Sequence, residues 1–250
     1  MPATPAWPPK SLPRLFVRTP LAEGAIVALD GGQANYLGNV MRLGPGAELL
    51  VFDGQSGEWL ARIAEAGKKR MTLTVERQTR EAETVSDVWL AFAPVKRAQT
   101  DWLVEKATEL GAARLIPVMT QRTIAERVKL ERLEAIAIEA AEQCGRTRLP
   151  DFDEPLPLRH LLKHRDASRT LYFADEEGGD WAPDAFTPGA CIILIGPEGG
   201  FTDEERAAVR AAPNAVPISL GPRILRAETA ALAALTTFMA VAGDWRLIDS

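Results

Sequence analysis

The hydrophobic pattern of this 250-residue chain changes near residue 85, and this change constrains the fold more than any single motif. Before it, segments of alternating apolar and polar residues are separated by glycine turns, at residues 48–53, 58–63 and 71–76. Such alternation predicts a small antiparallel sheet or barrel. After the change, continuous apolar runs alternate with helical patterns, which predicts an α/β domain with a mainly parallel sheet. We therefore expect two domains, residues 1–80 and 81–250, with the boundary in the polar stretch 77–86.

Five apolar runs in the second part are typical of buried strands, at residues 88–93, 114–118, 170–174, 191–195 and 216–220. Helical spacing predicts the elements between and after them: a helix through Leu103, Ala107 and Leu110, one over residues 130–144, one that begins at Thr202, and a last one over residues 227–243. Thr202 and Glu205 have the spacing of a capping box, which marks the start of the third helix.

The composition excludes several classes of protein. Hydrophobic residues at 46% and charged residues at 25% are globular values, which exclude a disordered or fibrous chain. Cys144 and Cys191 match no metal or disulfide spacing, and the N-terminus lacks the apolar region of a signal peptide. The longest charge-free apolar stretch, residues 229–243, is shorter than the ~20 residues that a membrane span needs. We expect a cytoplasmic protein with no membrane segment.

The charge is unevenly distributed along the chain. The net charge is -5, yet residues 1–80 carry 10 Lys and Arg against 7 Asp and Glu, which leaves 19 against 27 for the rest. A basic first domain suits contacts with nucleic-acid phosphates. Lys68, Lys69 and Arg70 form its densest basic cluster, although a solvated hairpin tip explains that cluster equally well.

A glycine turn follows the predicted strand at 191–195, in the sequence IGPEGGF at residues 195–201. Strand-to-helix turns hold ligands in parallel α/β sheets, and Gly199 and Gly200 allow a ligand to approach the backbone closely. Glu198 would repel phosphate, so a neutral or cationic ligand suits this turn better than a nucleotide phosphate. A tight turn closed by a helix cap is the alternative interpretation.

A second turn, SLGPRILRAETA at residues 219–230, leads into a helix of Ala, Leu and Thr. Arg226 stands where this helix enters the core, and burial without a partner would be costly, which favours a functional interpretation. A charged loop with Glu228 favourably placed near the helix dipole is the alternative. A third, acidic turn at residues 173–179 is either a ligand rim or a solvated loop.

Taken together, residues 195–201 and 220–230 resemble the RsmE family. Further segments agree with that family in the same order along the chain: residues 13–17, 40–43, 105–111, 120–123 and 139–146. The chain departs from the usual family pattern at or near Gln33, where members usually carry histidine, and at Thr123, where serine is usual.

The resemblance implies a function and an architecture. RsmE proteins are SPOUT-class methyltransferases that modify N3 of a uridine, position 1498 in standard rRNA numbering, in the 16S rRNA of the small ribosomal subunit. A member has a PUA-like RNA-binding β-barrel and a C-terminal SPOUT α/β domain with a deep trefoil knot that binds S-adenosylmethionine. Members act as homodimers, so the apolar last helix suits a subunit interface, although a buried core helix explains it as well.

The resemblance also implies site residues. The cofactor would be held by residues of the strand-end loops: Leu171, Phe173, Ile195, Gly196, Gly200, Leu220, Gly221, Ile224 and Leu225. Arg226 would orient the target base or stabilise its anion, with Glu198 as candidate general base and Glu228 as its rival. RNA would contact basic residues: Arg14, Arg18, Arg42, Lys68, Lys69, Arg70 and Arg122. No metal site is expected, because His160 and His164 have no third ligand nearby.

Two other functions stay open from the sequence. A SPOUT enzyme that methylates a ribose 2′-hydroxyl would share the cofactor turns but need a base that activates an alcohol. An RNA-binding ribosome assembly factor without catalysis would share the fold. Whether naked rRNA or an assembled subunit is the substrate also stays open.

Overall fold

The computed structural model describes residues 12–67, 70–124 and 128–245. The chain divides into two compact units. One contains the residues up to Glu83 together with Glu142–Arg148, and the other contains Thr84–Ala141 together with the chain from Leu149 onward.

The first unit is built on a five-stranded sheet. Its strands are β1 Arg14–Phe16, β2 Ile26–Leu29, β3 Glu48–Phe52, β4 Glu58–Ala66 and β5 Met71–Arg80, in the order β1-β3-β4-β5-β2. A short helix, α1 Gly31–Asn35, and a π-helical turn, Tyr36–Val40, follow β2. Three pairs are antiparallel as predicted, but β1 and β3 are parallel. A parallel pair needs a crossover connection, which β2 and the two helical segments supply here.

One face of this sheet packs on an apolar core that includes Leu49, Val51 and Leu73. The Glu58 carboxylate is also buried, and it accepts hydrogen bonds from Arg14 Nε at 2.7 Å and Arg80 Nη2 at 2.9 Å. Burial alone would raise the pKa of Glu58, but the hydrogen bonds from Arg80 and Arg14 outweigh it and lower the pKa below its usual value. Glu58 therefore stays ionised and links three strands, β1, β4 and β5.

Within the described ranges, the second unit contains a larger sheet and six helices, one of which ends with residues 142–144 of the first unit. Its strands are β6 Val88–Phe92, β7 Arg114–Met119, β8 Asp151–Phe152, β9 Leu156–Pro157, β10 Thr170–Ala174, β11 Asp180–Trp181, β12 Cys191–Ile195 and β13 Ala215–Ser219. Its helices are α2 Arg97–Glu109, α3 Leu130–Cys144, α4 Leu158–His164, α5 Ala182–Ala185, α6 Asp203–Arg210 and α7 Ala227–Val241. The strands run in the order β11-β13-β10-β12-β6-β7-β8, with β9 beside β7, and every pair is parallel. The predicted α/β class is confirmed, whereas the trefoil knot stays a prediction.

The central strand β12 shows why the sequence carries continuous apolar runs. Ile193 and Ile195 belong to the core beneath α7, and Ile192 and Leu194 belong to the core on the opposite face. Because the strand is buried on both faces, its residues do not alternate with polar ones. Cys191 begins this strand, and burial raises the pKa of its thiol to about 12. Among the described residues, no helix is long and apolar enough to cross a membrane.

Candidate active site

A cavity of about 340 Å³ opens where β10, β12 and β13 end, within the size range of small-ligand sites. Parallel strands end at the same edge of a sheet, so three separate loops meet there. Seven of the predicted cofactor residues line the cavity: Ile195, Gly196, Gly200, Leu220, Gly221, Ile224 and Leu225. The two glycine turns therefore line one cavity, and their role in binding the cofactor stays a prediction.

The other two predicted cofactor residues lie elsewhere. Leu171 and Phe173 are fully buried in the core that also contains Leu194 and Val209, and neither lines the cavity. Side chains of β10 alternate between the two faces of the sheet, and Ala174, the last residue of the strand, reaches the cavity instead. The proposed contact of Leu171 with an adenine ring is therefore corrected.

The first glycine turn requires glycine at one position above all. Gly200 has a φ of +68°, and a Cβ atom there would lie 2.6 Å from Oε1 of Glu176. Thr202 then caps α6, because its side chain accepts from Glu205 N at 3.2 Å and its own N–H donates to Glu205 Oε2 at 3.1 Å. The predicted capping box is confirmed, and it fixes the exit of the turn.

The loop after β7 holds the glycine turn from the other side. Arg122 Nη1 donates to the carbonyl oxygens of Gly199 at 2.7 Å and Phe201 at 3.3 Å. The N–H of Gln121 donates to Glu205 Oε1 at 2.8 Å. The sequence analysis predicted that Arg122 contacts RNA. In the structure, its guanidinium donates hydrogen bonds to carbonyl groups of the turn. Thr123 supports this loop, since its hydroxyl accepts from Thr120 N at 2.9 Å.

The acidic turn after β10 is an ordered rim of the cavity. The Asp175 side chain is only 1% exposed and accepts from Arg206 Nε at 3.1 Å and Arg210 Nη2 at 2.6 Å. Arg206 also donates to Glu176 at 2.9 Å and Glu177 at 2.7 Å. Ion pairs therefore fix this turn, in which Asp175 is buried while Glu176 and Glu177 stay exposed to solvent. The sequence analysis missed Arg206. The signal that could have identified it is the spacing of Arg206 and Arg210, which lie one helical turn apart, together with the acidic turn that follows β10.

The predicted catalytic residues occupy three different environments. Glu198 is exposed at the cavity wall. Arg226 is the N-cap residue of α7. It is exposed, so the predicted burial of its side chain is wrong. Glu228, in the first turn of α7, is buried at 9% exposure. Within the described ranges, no ion pair joins Glu228 to Arg226, and neither residue lines the cavity.

The predicted RNA-binding residues of the first unit also differ from one another. The Arg14 side chain is 6% exposed and is bonded to Glu58, so it belongs to an internal ion pair rather than to the surface. Arg18, Arg42 and Arg70 are exposed. Lys68 and Lys69 lie outside the described residues. Gln33, which replaces the usual histidine, completes the capping box of α1 and donates to the carbonyl oxygen of Phe16 at 2.8 Å.

The two histidine rings contact each other at a tilt of 34°. The ring centroids of His160 and His164 are 4.3 Å apart on α4. In the part of the chain that the structure describes, no group of three or more His, Cys, Asp or Glu side chains is arranged to hold a metal ion.

Comparison with known proteins finds relatives along the length of the chain. An RNA methyltransferase domain matches residues 81–239, and an RNA methyltransferase PUA domain matches residues 29–76. The chain is 32% identical over 227 residues to ribosomal RNA small subunit methyltransferase E of Rickettsia conorii, covering 89% of this chain and 93% of that protein. It is 34% identical over 238 residues to the protein of the same name from Synechocystis, with 91% and 77% covered.

A solved structure has the same fold. It is the ribosomal RNA small subunit methyltransferase E from Neisseria gonorrhoeae bound to S-adenosyl methionine, with a TM-score of 0.86 and 28% identity. The similarity covers 94% of this chain and 100% of that one, so both domains correspond.

Proposed function

Since this chain belongs to the RsmE family of RNA methyltransferases, we propose that it methylates N3 of a uridine in 16S rRNA with S-adenosylmethionine as methyl donor. The family resemblance implies uridine 1498 in standard rRNA numbering. The observation that supports the proposal most directly is the cavity at the ends of β10, β12 and β13, where both glycine turns meet.

The cavity has the chemistry that a sulfonium cofactor requires. Its charged lining residues are Asp175, Glu176 and Glu198 against Arg206 and Arg223, and Arg206 is paired with Asp175 and Glu176. The excess of one carboxylate over the two arginines favours a cation over a phosphate. Backbone groups of the two glycine turns would bind the adenine edge, and Ile224 and Leu225 would cover the ring. When bound, S-adenosylmethionine supplies an activated methyl group.

The remaining chemistry is carried out by residues of this chain. N3 of uracil lies on the Watson–Crick edge and carries a proton, so the base must be unpaired and the proton must leave. We assign proton removal to Glu198, because it is the predicted catalytic carboxylate that reaches the cavity. Arg226 would orient the RNA or stabilise the anionic base from the N-terminus of α7. Glu228 is the second candidate base, since it does not line the cavity.

The exposed surfaces support two proposed partners, RNA and a second copy of this chain. Arg42 and Arg70 are exposed basic residues of the first domain, which suits contacts with phosphate. Arg18 is exposed as well, and its guanidinium lies 5.9 Å from the centroid of the Phe16 ring. Trp102 and Trp245 are large exposed apolar side chains of the second domain, which supports the predicted homodimer. A ribosomal RNA substrate also supports the expectation that the protein acts in the cytoplasm.

The test is methyl transfer from labelled S-adenosylmethionine to naked 16S rRNA and to small subunits that lack the modification, followed by nucleoside analysis. Label recovered as 3-methyluridine at one position is the expected result. Label recovered in a ribose methyl group would instead move the protein to the 2′-hydroxyl class. No label in either substrate, despite measurable cofactor binding, would overturn the proposal.

A further inference from the structure

A second cavity, of about 460 Å³, lies beside the first one in the same domain. Among the described residues, its walls come from the loop between β6 and α2 with the first turns of α2, from Ile124, from residues between 128 and 133, and from Glu198. Because β6 is the neighbour of β12 in the sheet, this cavity opens at the same edge as the first. Glu198 lines both cavities, so a single carboxylate stands at their junction.

The second cavity has an apolar floor. Val95 and Leu133 are almost completely buried beneath it, and Pro94 and Val128 add apolar surface to its walls. The loop is held rigidly, because the buried Thr100 hydroxyl accepts from Val95 N and donates to Val95 O, both at 3.1 Å. A preformed apolar floor of this kind suits a planar, weakly polar group such as a nucleobase.

The rim of the second cavity is basic. Its charged residues are Lys96, Arg97, Lys129 and Arg132 against Asp101 and Glu198. Arg132 is neutralised by Asp101 through two hydrogen bonds, one of them 2.9 Å from Nε to Oδ1. Lys96, Arg97 and Lys129 are exposed, and no ion pair engages them within the described ranges. Three unpaired cations above an apolar floor match a nucleotide, with its phosphate at the rim and its base inside.

We propose that this second cavity is the acceptor site, which receives the target nucleotide of single-stranded or flipped-out RNA. The phosphate groups bind Lys96, Arg97 and Lys129, and the base enters toward Glu198. This inference rests on the proposed function, because it places the acceptor nitrogen beside the carboxylate that takes its proton and beside the neighbouring cavity for the methyl donor.

The test compares Lys96→Ala/Lys129→Ala with Lys163→Ala in the full-length protein. Lys163 is an exposed lysine on α4 that lines neither cavity, so it controls for the loss of surface charge. The affinity for a short single-stranded RNA with one uridine is measured by fluorescence anisotropy over a range of salt concentrations. We expect the double variant to bind about tenfold more weakly. The slope of its log affinity against log salt concentration should fall by an amount that corresponds to about one to two phosphate contacts. Its affinity for S-adenosylmethionine should stay within about twofold of the wild type.

A second measurement locates the base. The same RNA with 5-iodouridine in place of uridine is photocrosslinked to the wild-type protein, and the crosslinked peptides are identified by mass spectrometry. Crosslinks to residues 94–97 or 128–133 support the proposal. Crosslinks confined to other segments, or a double variant that binds RNA as tightly as Lys163→Ala, would overturn it. Neither measurement requires turnover, so a failure of the proposed methylation itself is seen separately, as wild-type protein that leaves rRNA unmodified.

Discussion

The two cavities lie at one edge of one sheet, yet they differ in charge. The first is lined by three carboxylates, Asp175, Glu176 and Glu198, against two arginines, Arg206 and Arg223. Arg206 is bonded to Asp175 and Glu176. The second carries Lys96, Arg97 and Lys129 without ion-pair partners in the described residues. The backbone therefore provides the same kind of crevice twice, and the loop side chains decide whether a cation or an anion fits. The comparison can be tested by changes that affect one cavity, or their junction, and leave the other intact.

The largest effect is expected at the junction. Glu198→Gln removes the proposed proton acceptor while keeping the size of the side chain, so turnover should fall by about 100-fold or more. Affinity for RNA should change by less than about twofold, because it does not depend on proton removal. Affinity for S-adenosylmethionine should fall by at most about tenfold, since Glu198 is one of the carboxylates that line the first cavity. Single-turnover transfer of labelled methyl groups measures the rate, and calorimetry measures the affinity for the cofactor.

Glu154→Gln is the matched control for this change, since Glu154 is exposed and lines neither cavity. If Glu198→Gln retains more than half of the wild-type rate, the assignment of the base is wrong. Glu228→Gln in the same assay then tests the rival.

The next largest effect should be confined to the first cavity. Gly200→Ala forces a Cβ atom to within 2.6 Å of Glu176 Oε1 at a φ of +68°. Such strain costs about 1–3 kcal/mol and displaces the acidic rim, so the cofactor should bind about tenfold more weakly while RNA affinity is retained. Gly44→Ala is the control, because a Cβ atom there meets nothing within 4 Å. An equal loss of RNA affinity in Gly200→Ala would show that the two cavities are not independent.

The smallest effect is expected for Arg122, and it distinguishes support of the glycine turn at the first cavity from a contact with RNA. Arg122→Ala removes the hydrogen bonds to the carbonyl oxygens of Gly199 and Phe201. A charged hydrogen bond contributes about 1.5–3 kcal/mol at most, and partial relaxation of the turn should leave a loss of cofactor affinity of about three- to tenfold. Arg159→Ala, on the exposed surface of α4, is the control. If only RNA affinity falls, Arg122 contacts RNA, as its sequence context had predicted.

The fold was predicted most accurately where burial leaves a continuous apolar run. The strands at 170–174 and 191–195 have the predicted bounds, since both faces of each are covered. The edge strands β8, β9 and β11 have two residues each, which is too short for any periodicity to appear in the sequence. Local patterns therefore specify the centre of the sheet, and its edges depend on tertiary contacts.

At the candidate site, the glycine turns could be predicted from sequence, whereas the side chains that depend on tertiary contacts could not. Gly200 and Gly221 have positive φ angles, a requirement that is visible in the residue type itself. Leu171 and Phe173 were misplaced because, in a strand buried on both faces, polarity does not reveal which face a side chain takes. Arg206 was missed because its partner Asp175 is 31 residues away, and only the adjacency of β10 and β12 brings them together. The basic rim of the second cavity was likewise assembled from separate segments.

The thiol of Cys191 has a consequence for following this protein in solution. Because burial raises its pKa to about 12, little of this thiol is ionised at neutral pH, whereas Cys144 is exposed. An alkylating reagent should therefore modify Cys144 first. Cys191 would then be alkylated only in molecules whose central sheet has opened. The rate of this second modification therefore measures how often the domain unfolds, without any mutation.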